Sequence, residues 1–150
     1  MVYNIKKISR NANVDAIAIL FDNYRQFYRQ DSDITGARAY LKERIDRQQS
    51  VIFVAYDEHQ RLIGFAQLYP MFSSVAMKKH WLLNDLYITD THRRQGVAKQ
   101  LLDAVHKFAR QDGADRVALK TEKHNAIAKQ LYEKLGYQFD KIFDHYTLQL

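Results

Sequence analysis

The sequence predicts a mixed fold, either α+β or α/β with a mixed sheet, in a single domain covering residues 1–150. A length of 150 residues fits one domain, and a hydrophobic content of 47% is enough to fill a core. The apolar patterns follow the order β-α-α-β-β-β-α-β-α-β along the chain. This order is neither a strict βαβ alternation nor an all-β pattern, which leads to the mixed class.

The first half of the chain is predicted to hold a strand, two helices and a hairpin. Residues 2–8 alternate as a strand does, and Asn13 is expected to cap a first helix. The apolar runs at 51–55 and 62–69 are separated by a polar turn and predict two paired strands. Gly36 weakens the beginning of a second helix, which is predicted from four apolar residues on one face: Ile34, Ala37, Leu41 and Ile45.

The centre of the chain predicts a strand–helix–strand crossover. Residues 81–89 form an apolar strand pattern, and a strongly amphipathic helix follows over 96–111 and ends near Gly113. A short strand is expected at 117–119. Crossovers of this kind place a helix N-terminus at the carboxyl end of a strand, where phosphates bind.

The C-terminal part predicts one more helix and the end of the sheet. Asn125 is expected to open the helix, and Gly136 stands where a glycine commonly follows a helix end. Residues 139–150 are predicted to supply the last strand or two. Three apolar residues of this helix are expected to point inward: Ala128, Leu131 and Leu135.

Composition and charge exclude several classes of protein. The chain has no cysteine, which excludes disulfides, zinc–thiolate sites and a cysteine nucleophile. Its six histidines lack metal-binding spacing, so no metal site is expected. The first residues lack the apolar segment of a signal peptide, and no apolar run is long enough to span a membrane, so a cytoplasmic protein is expected. The net charge of +6 favours an anionic partner, whether nucleic acid, a phosphorylated cofactor or a membrane surface.

The charge is concentrated where the strand at 81–89 gives way to the long helix. Residues 91–110 carry five basic side chains against one acidic side chain, which is +4 of the total of +6. Unpaired N–H groups at a helix start attract anions, and Arg93 and Arg94 can add charge-assisted bonds to phosphate oxygens. Gly96 and Ala98 allow a ligand to approach the backbone. Neither a P-loop nor a dinucleotide-binding fingerprint is present.

These residues resemble the GNAT superfamily of acyl-CoA-dependent N-acetyltransferases. Arg93-x-x-Gly96-x-Ala98, after the strand end Asp85-Leu86-Tyr87-Ile88, is similar to the pyrophosphate loop of that family. The downstream segment 125–137, Asn125-x-x-Ala128-x-x-Leu131-Tyr132-x-x-x-Gly136-Tyr137, is similar to its second signature. The resemblance implies a central mixed, mostly antiparallel twisted sheet of six to seven strands, flanked by about four helices.

The resemblance also implies roles for individual residues. Tyr132 would protonate the departing thiolate, and a backbone N–H near Ile88 would stabilise the reacting carbonyl oxygen. Asp85 or a water relay would act as the base, because Asn84 stands where family members acting on polyamines often carry a glutamate. The acyl donor would be acetyl-CoA, held by these residues: Leu86, Tyr87, Ile88, Arg93, Arg94, Gln95, Gly96, Val97, Ala98, Lys99, Asn125 and Ala128.

The acceptor pocket of this family is built by the first two helices and by the end of the strand at 62–69. Asp31 and Asp33 can attract a cationic amine there, although such a pair also occurs as a polar loop that caps the next helix. Tyr132 and Asn125 likewise have plainer interpretations, as a boundary tyrosine and a helix N-cap. The candidate acceptor-binding residues are Tyr24, Tyr28, Asp31, Asp33, Asn84 and Gln67, and the same two regions also contain Arg25, Tyr69, Ser73 and Ser74.

The leading hypothesis is an N-acetyltransferase that moves an acetyl group from acetyl-CoA directly to the primary amine of a small molecule. A protein lysine or N-terminal acetyltransferase is the alternative within the same chemistry. A basic nucleic-acid-binding module and a catalytically silent acyl-CoA sensor are the alternatives from other classes. Neither nucleic acid nor a membrane is expected as a partner, and the sequence allows a homodimer.

Overall fold

The computed structural model describes residues 1–150, which divide into two compact units, Met1–Lys120 and Thr121–Leu150. None of the helices is long and apolar enough to cross a lipid bilayer. The elements of the larger unit are β1 Asn4–Lys7, α1 Asp15–Phe27, α2 Ile34–Asp46, β2 Val51–Tyr56, β3 Leu62–Ser73, β4 Lys78–Ile88, a short 3-10 helix Asp90–His92, α3 Val97–Gln111 and β5 Val117–Leu119, and the smaller unit contains α4 Ala126–Lys134.

The sheet has the order β1-β2-β3-β4-β5, which confirms the predicted mixed class. The first four strands are antiparallel, and β5 is parallel to β4 because α3 forms the crossover between them. The expectation of six to seven strands is wrong, since the sheet has five. Residues 139–150, predicted to supply the missing strands, form none: an alternating pattern becomes a strand only when a neighbouring strand pairs with its backbone.

Helices cover both faces of the sheet in the larger unit. Ile52 and Val54 of β2 belong to a cluster with buried residues of α1 and α2. Phe53, between them, points to the other face, where its ring lies 5.7 Å from that of Phe108 on α3. Burial on both faces explains why β2 is an almost continuous apolar run rather than an alternating one.

The starts of the first two helices are held by different contacts. α1 begins at Asp15 with Val14 at the cap position, so the expected cap at Asn13 lies one residue too early. The Asn13 side chain instead accepts a hydrogen bond from the N–H of Asp15 at 2.9 Å. Asp33 caps α2 by accepting from the N–H of Gly36 at 2.8 Å. A Cβ atom at Gly36 would overlap the Asp33 carboxylate, so the glycine predicted to weaken the helix is what permits its cap.

A buried carboxylate connects α1 to the loop before α2. Asp22 is 2% exposed and accepts hydrogen bonds from the Ser32 hydroxyl and the Asp33 N–H, each at 2.7 Å. The Asp33 N–H is the main cause that lowers the pKa of Asp22, and the Ser32 hydroxyl acts in the same direction. The charged form therefore stabilises the fold, and this contribution is lost as the pH falls through the lowered pKa.

We expect Asp22→Asn to lower the free energy of unfolding by about 1–3 kcal/mol at pH 7, because the neutral amide loses charge-assisted acceptor bonds. The difference from the wild type should shrink below pH about 5, where the carboxylate of the unfolded wild-type chain begins to bind protons. Urea unfolding at pH 7 and at pH 4 measures both values. The exposed Asp46→Asn serves as the control, and a difference that grows at acid pH would contradict the assignment.

The smaller unit contains one helix, α4. The Asn125 side chain caps α4 by accepting from the N–H of Ala128 at 3.1 Å, as predicted. Gly136 follows the helix end with a φ of 95°, which also confirms its predicted role. No residue of α4 is fully buried, and Leu131 and Leu135, expected to point inward, are half-buried.

Candidate active site

A β-bulge in β4 lies at the centre of the site. Asp85 pairs with Gln67 and Leu83 pairs with Leu68, so Asn84 is an extra residue without a partner on β3. Bulges bend a strand and change the direction of the side chains beside them. This one places an exposed asparagine directly before a buried aspartate.

Asp85 is a buried carboxylate within a small hydrogen-bonded group. It is 5% exposed, accepts from Gln67 Nε2 at 2.7 Å and accepts from Asn84 Nδ2 at 3.0 Å. The Tyr24 side chain is a third hydrogen-bond partner. Burial raises the pKa of the Asp85 carboxyl and outweighs the opposing effect of these bonds. A raised pKa brings the group closer to the range in which a general base works at neutral pH.

Gln67 donates a hydrogen bond to Asp85 from within the core. The Gln67 side chain is fully buried, its Nε2 donates to Asp85, and its Oε1 has no hydrogen-bond partner. An orphaned buried oxygen in this position is an acceptor for a water molecule or for a polar group of a ligand. The arrangement therefore leaves hydrogen-bonding capacity next to the buried acid.

An aromatic cavity of about 430 Å³ opens beside Asp85. Rings dominate its wall, and the Tyr40 and Tyr69 hydroxyls are 2.7 Å apart. Burial is the main cause that raises the pKa of Tyr69, so this hydroxyl stays neutral. The lining residues are Phe21, Tyr24, Arg25, Asp33, Gly36, Ala37, Tyr40, Tyr69, Asn84 and Asp85.

The predicted acceptor residues divide into two groups. Four of them line the cavity: Tyr24, Asp33, Tyr69 and Asn84. Gln67 does not line it, but its side chain donates a hydrogen bond to Asp85, which does. The other two, Tyr28 and Asp31, do not line the cavity but make contacts near it. The Tyr28 ring lies 5.1 Å from the Tyr24 ring, and the Asp31 carbonyl accepts from Arg25 Nη1 at 3.1 Å.

Sequence reasoning missed Tyr40, whose hydroxyl reaches the cavity wall. Its signal was its position three residues after Ala37, which places it beside the predicted inner face of α2. The ring also lies 5.9 Å from that of Phe21, in a stacked orientation. The tyrosine thus belongs to the wall that α1 and α2 build together.

The carboxyl end of β4 has one open edge. β5 pairs with β4 only over residues 81–83, whereas β4 continues to Ile88. The edge of residues 84–88 on the side away from β3 is therefore unpaired by any strand. An extended ligand can add to such an edge by main-chain hydrogen bonds. Leu86, Tyr87 and Ile88, predicted to hold the pantetheine arm, lie on this stretch.

The start of α3 offers unpaired donors to an anion. No side chain caps it, and its hydrogen bonding begins with the Gln100 N–H donating to the Gly96 carbonyl at 3.1 Å. The N–H groups of Val97, Ala98 and Lys99 thus precede the first helical bond. Gly96 has a φ of 84°, and a Cβ atom there would meet nothing within 4 Å. A backbone turn with open space in front of it fits the predicted cradle for pyrophosphate.

The two arginines of the loop differ in what they contact. Arg93 pairs with Asp90 at 2.8 Å, donates from Nε to the Ile88 carbonyl at 3.1 Å and lies over the rings of Phe27 and Tyr87. Arg94 is exposed, has a φ of 61° and takes part in no ion pair. Arg93 thus holds the loop to its surroundings, and Arg94 is the arginine whose charge is open to a phosphate.

Three other predicted residues lie in the smaller unit. The Asn125 side chain is engaged as the cap of α4, a contact that Ala128 completes through its N–H. Tyr132 is half-buried, and its ring lies 5.6 Å from that of Tyr137. In neither unit does a group of three or more histidine, aspartate or glutamate side chains stand ready to hold a metal ion.

The sheet, the open strand edge and the motifs define the class of the protein as an acetyltransferase. The family model described as the acetyltransferase (GNAT) family matches residues 17–137. The chain belongs to this family, which confirms the resemblance found in the sequence. Enzymes of the family use acetyl-CoA as the acyl donor.

Known proteins resemble the chain over most of its length. It is 46% identical to the uncharacterized N-acetyltransferase YhfO of Bacillus subtilis (strain 168), covering 98% of this chain and 97% of that protein. A crystal structure of a probable acetyltransferase, 40% identical, superposes with a TM-score of 0.91 over 98% of this chain and 97% of its own. The D-amino-acid N-acetyltransferase HPA3 of Saccharomyces cerevisiae (strain ATCC 204508 / S288c) is 34% identical over 53% of this chain and 50% of its own.

Proposed function

We propose that the protein transfers an acetyl group from acetyl-CoA directly to the primary amine of a small, cationic molecule. The observation that carries the proposal is the buried Asp85 on the wall of the aromatic cavity, at the start of the open strand edge. Aromatic faces and carboxylates attract an ammonium group, and the volume of about 430 Å³ suits a small acceptor. The name of the yeast relative, a D-amino-acid N-acetyltransferase, supports a small acceptor.

The first chemical demand is a neutral amine. An amine with a pKa of about 10.4 is only about 0.04% neutral at pH 7, which costs about 4.6 kcal/mol. Asp85 meets this demand by accepting the proton, directly or through a water molecule. Asn84 cannot accept it, because an amide has no basic site at this pH. The raised pKa of Asp85 reduces the free-energy difference for the proton transfer.

The thioester supplies an activated acetyl carbon, to which the amine nitrogen bonds as the bond to sulfur breaks. A main-chain N–H near Ile88, on the open edge of β4, is proposed to donate to the carbonyl oxygen during this step. Tyr132 is proposed to give its proton to the departing sulfur, and the proton that the nitrogen loses as it becomes an amide returns the tyrosine to its neutral form. Its support is the match to the family signature in 125–137, together with a half-buried ring.

The donor is proposed to lie along the open edge of β4, with its pyrophosphate at the start of α3. Asn125 and Ala128 are proposed as further donor-binding residues on the match of 125–137 to the family signature. The uncapped N–H groups and Arg94 supply positive charge for the pyrophosphate. A phosphate-sized cradle explains the basic cluster better than a nucleic-acid surface does, because the charge is concentrated around one helix.

Coenzyme A is expected to raise the melting temperature by about 5–10 °C at 100 times its dissociation constant, because it binds only the folded chain. Arg94→Ala should remove part of this shift by deleting an exposed phosphate contact. Arg110→Ala, in the last turn of the same helix, is the matched control and should leave it unchanged. Thermal scans with coenzyme A and with a single-stranded oligonucleotide measure the effect. Stabilisation by the oligonucleotide alone would support the nucleic-acid hypothesis instead.

Thiol release from acetyl-CoA across a panel of acceptors tests the proposed activity. Small amines with and without a net positive charge should be compared with a lysine peptide and a peptide with a free N-terminus. Turnover with small cationic amines is expected. Turnover with the peptides alone would favour the protein acetyltransferase, and binding of acetyl-CoA without any turnover would favour the silent sensor.

A further inference from the structure

We infer that the acceptor is a diamino acid, whose carboxylate binds Arg25, whose α-ammonium group binds Asp33 and whose distal amine faces Asp85 and takes the acetyl group. The inference rests on the proposed function and adds the class of the acceptor to it. Its starting point is that these three charged side chains all line the same cavity. One positive and two negative charges are the complement of a molecule with one carboxylate and two ammonium groups.

The Arg25 guanidinium group is held on one edge and has no partner on the other. Its Nη1 atom donates to the Asp31 carbonyl at 3.1 Å and lies 3.6 Å from Oδ1 of the buried Asp22, which is too far for a good hydrogen bond. Its Nε and Nη2 atoms have no partner within the chain, and the side chain is 30% exposed. These two N–H groups form the bidentate fork that recognises a carboxylate. Arg25 thus offers a positioned carboxylate site in the cavity wall.

Asp33 lies next to Arg25, because both contact the same oxygen atom. The Asp22 Oδ1 atom that lies near the guanidinium group also accepts the Asp33 N–H at 2.7 Å. The Asp33 carboxylate accepts from the Gly36 N–H and forms no ion pair, so Arg25 does not neutralise it. A guanidinium group beside an unpaired carboxylate matches the adjacent carboxylate and α-ammonium groups of an amino acid.

Asp85 provides a second acid, which also lacks a cationic partner. Its hydrogen bonds come from neutral side chains, among them Gln67 and Asn84. An ammonium group is the partner that such a buried carboxylate requires. The distal amine gives its ammonium proton to Asp85 and bonds to the acetyl carbon as the carbon–sulfur bond breaks. The second proton that the nitrogen loses replaces the one given to the thiolate, so the products are the amide and coenzyme A.

The remaining wall suits the apolar stem of a diamino acid. The Phe21 ring lies 6.3 Å from that of Tyr24 and 5.9 Å from that of Tyr40. Such rings pack against methylene groups and attract ammonium groups. The cavity volume of about 430 Å³ is typical of a site for a small molecule. A free amino acid with a flexible side chain therefore fits the cavity in chemistry and in size.

Two simpler classes of amine leave a charge of the cavity without a partner. A diamine supplies cations for both acids but no anion for Arg25, which would then face a second cation. An amino acid with a single amine supplies the anion but leaves one of the two acids unpaired. Since a desolvated charge without a partner is costly, the diamino acid is favoured over both.

Matched acceptors test the class. Lysine and ornithine are compared with 1,5-diaminopentane and 1,4-diaminobutane, which lack their carboxylates, and with norleucine, which lacks the distal amine. We expect kcat/KM to be at least about tenfold higher for the better diamino acid than for its diamine, and mass spectrometry should place the acetyl group on the distal nitrogen. Equal or higher kcat/KM for the diamines, or acetylation of an α-nitrogen, overturns the inference but not the proposed function. Turnover of none of these compounds overturns the inference, and turnover of no amine at all overturns the proposed function as well.

Variants of Arg25 test where the carboxylate binds. Arg25→Gln is expected to raise KM for the diamino acid about 10- to 100-fold with a smaller change in kcat, and not to raise KM for the diamine. Arg25→Lys should recover part of the loss because it keeps the charge. The thermal shift with coenzyme A reports whether each variant is folded. Arg38→Gln, an exposed arginine of α2 outside the cavity lining, is the control and should change neither KM. Equal losses for the diamino acid and the diamine would make Arg25 a structural residue and overturn the inference.

Discussion

Asp85→Asn is expected to lower kcat/KM for the amine acceptor by about 10²–10⁴, because general base catalysis contributes on this scale. Asparagine keeps the size of the side chain and fills the same space between Gln67 and Asn84, but it cannot accept a proton. The binding of acetyl-CoA should change little, since Asp85 is not among the predicted donor-binding residues. Thiol release and a coenzyme A titration measure the two quantities separately.

The pH dependence of kcat/KM is a second test of Asp85 as the base. The carboxylate must be deprotonated to act as a base, so the rate is lost as the pH falls through its pKa. Since burial raises that pKa above the usual value, the acid limb of kcat/KM should lie above pH about 4 in the wild type. Asp112→Asn is the matched control: this acid bonds to Trp81 and Lys79, away from the cavity lining, and its loss should leave the rate and the acid limb unchanged. An unaltered rate and profile in Asp85→Asn would remove Asp85 as the base.

Tyr132→Phe is expected to reduce kcat by about 10²-fold or more while leaving coenzyme A affinity close to the wild-type value. The substitution deletes only the hydroxyl, so the half-buried ring keeps its packing next to Tyr137. The loss of kcat should be smaller for an acyl donor with a more acidic thiol, because such a thiol departs as the thiolate and does not need a proton. Single-turnover thiol release with the two donors measures the difference.

The control for Tyr132 is Tyr137→Phe in the same unit. It tests whether any loss comes from disturbing this tyrosine pair rather than from removing an acid. Equal losses in both variants, or full turnover in Tyr132→Phe, would contradict the assignment of Tyr132.

Most of the larger unit could be predicted from the sequence because its local signals agree with its packing. α3 combines an apolar face with Gly96 before it and Gly113 after it, and its bounds of Val97–Gln111 lie within a residue of the prediction. The short strand at 117–119 was located as predicted. In both cases the period of apolar residues and the flanking glycines point to the same element.

The sequence misled where structure depends on distant partners. The pattern of residues 139–150 is that of a strand, but pattern alone does not provide the neighbouring strand that pairing needs. Asn13 has the chemistry of a helix cap, and its side chain does accept a backbone bond, yet the helix begins after Val14.

The site was predictable in its chemistry and less so in its geometry. The motif indicated Arg93 and Arg94 as a pair, and only the structure distinguishes the arginine tied to Asp90 from the exposed one. Asp85 was identified as the acid of the central strand, but the bulge at Asn84 and the orphaned oxygen of Gln67 have no sequence signature. Tyr40 had a signal in its position three residues after Ala37, but its place in the wall depends on how α2 packs.

The bulge at Asn84 also affects how this enzyme can diversify. Because Asn84 has no partner across the ladder, its side chain can be exchanged without breaking a pair, and acceptor preference can drift by single substitutions there. A deletion of the same residue is a different event: it would restore regular pairing and remove the local bend that sets the direction of the side chains beside Asp85. Substitutions of residue 84 therefore keep the register of β4, whereas a change in the length of the strand does not.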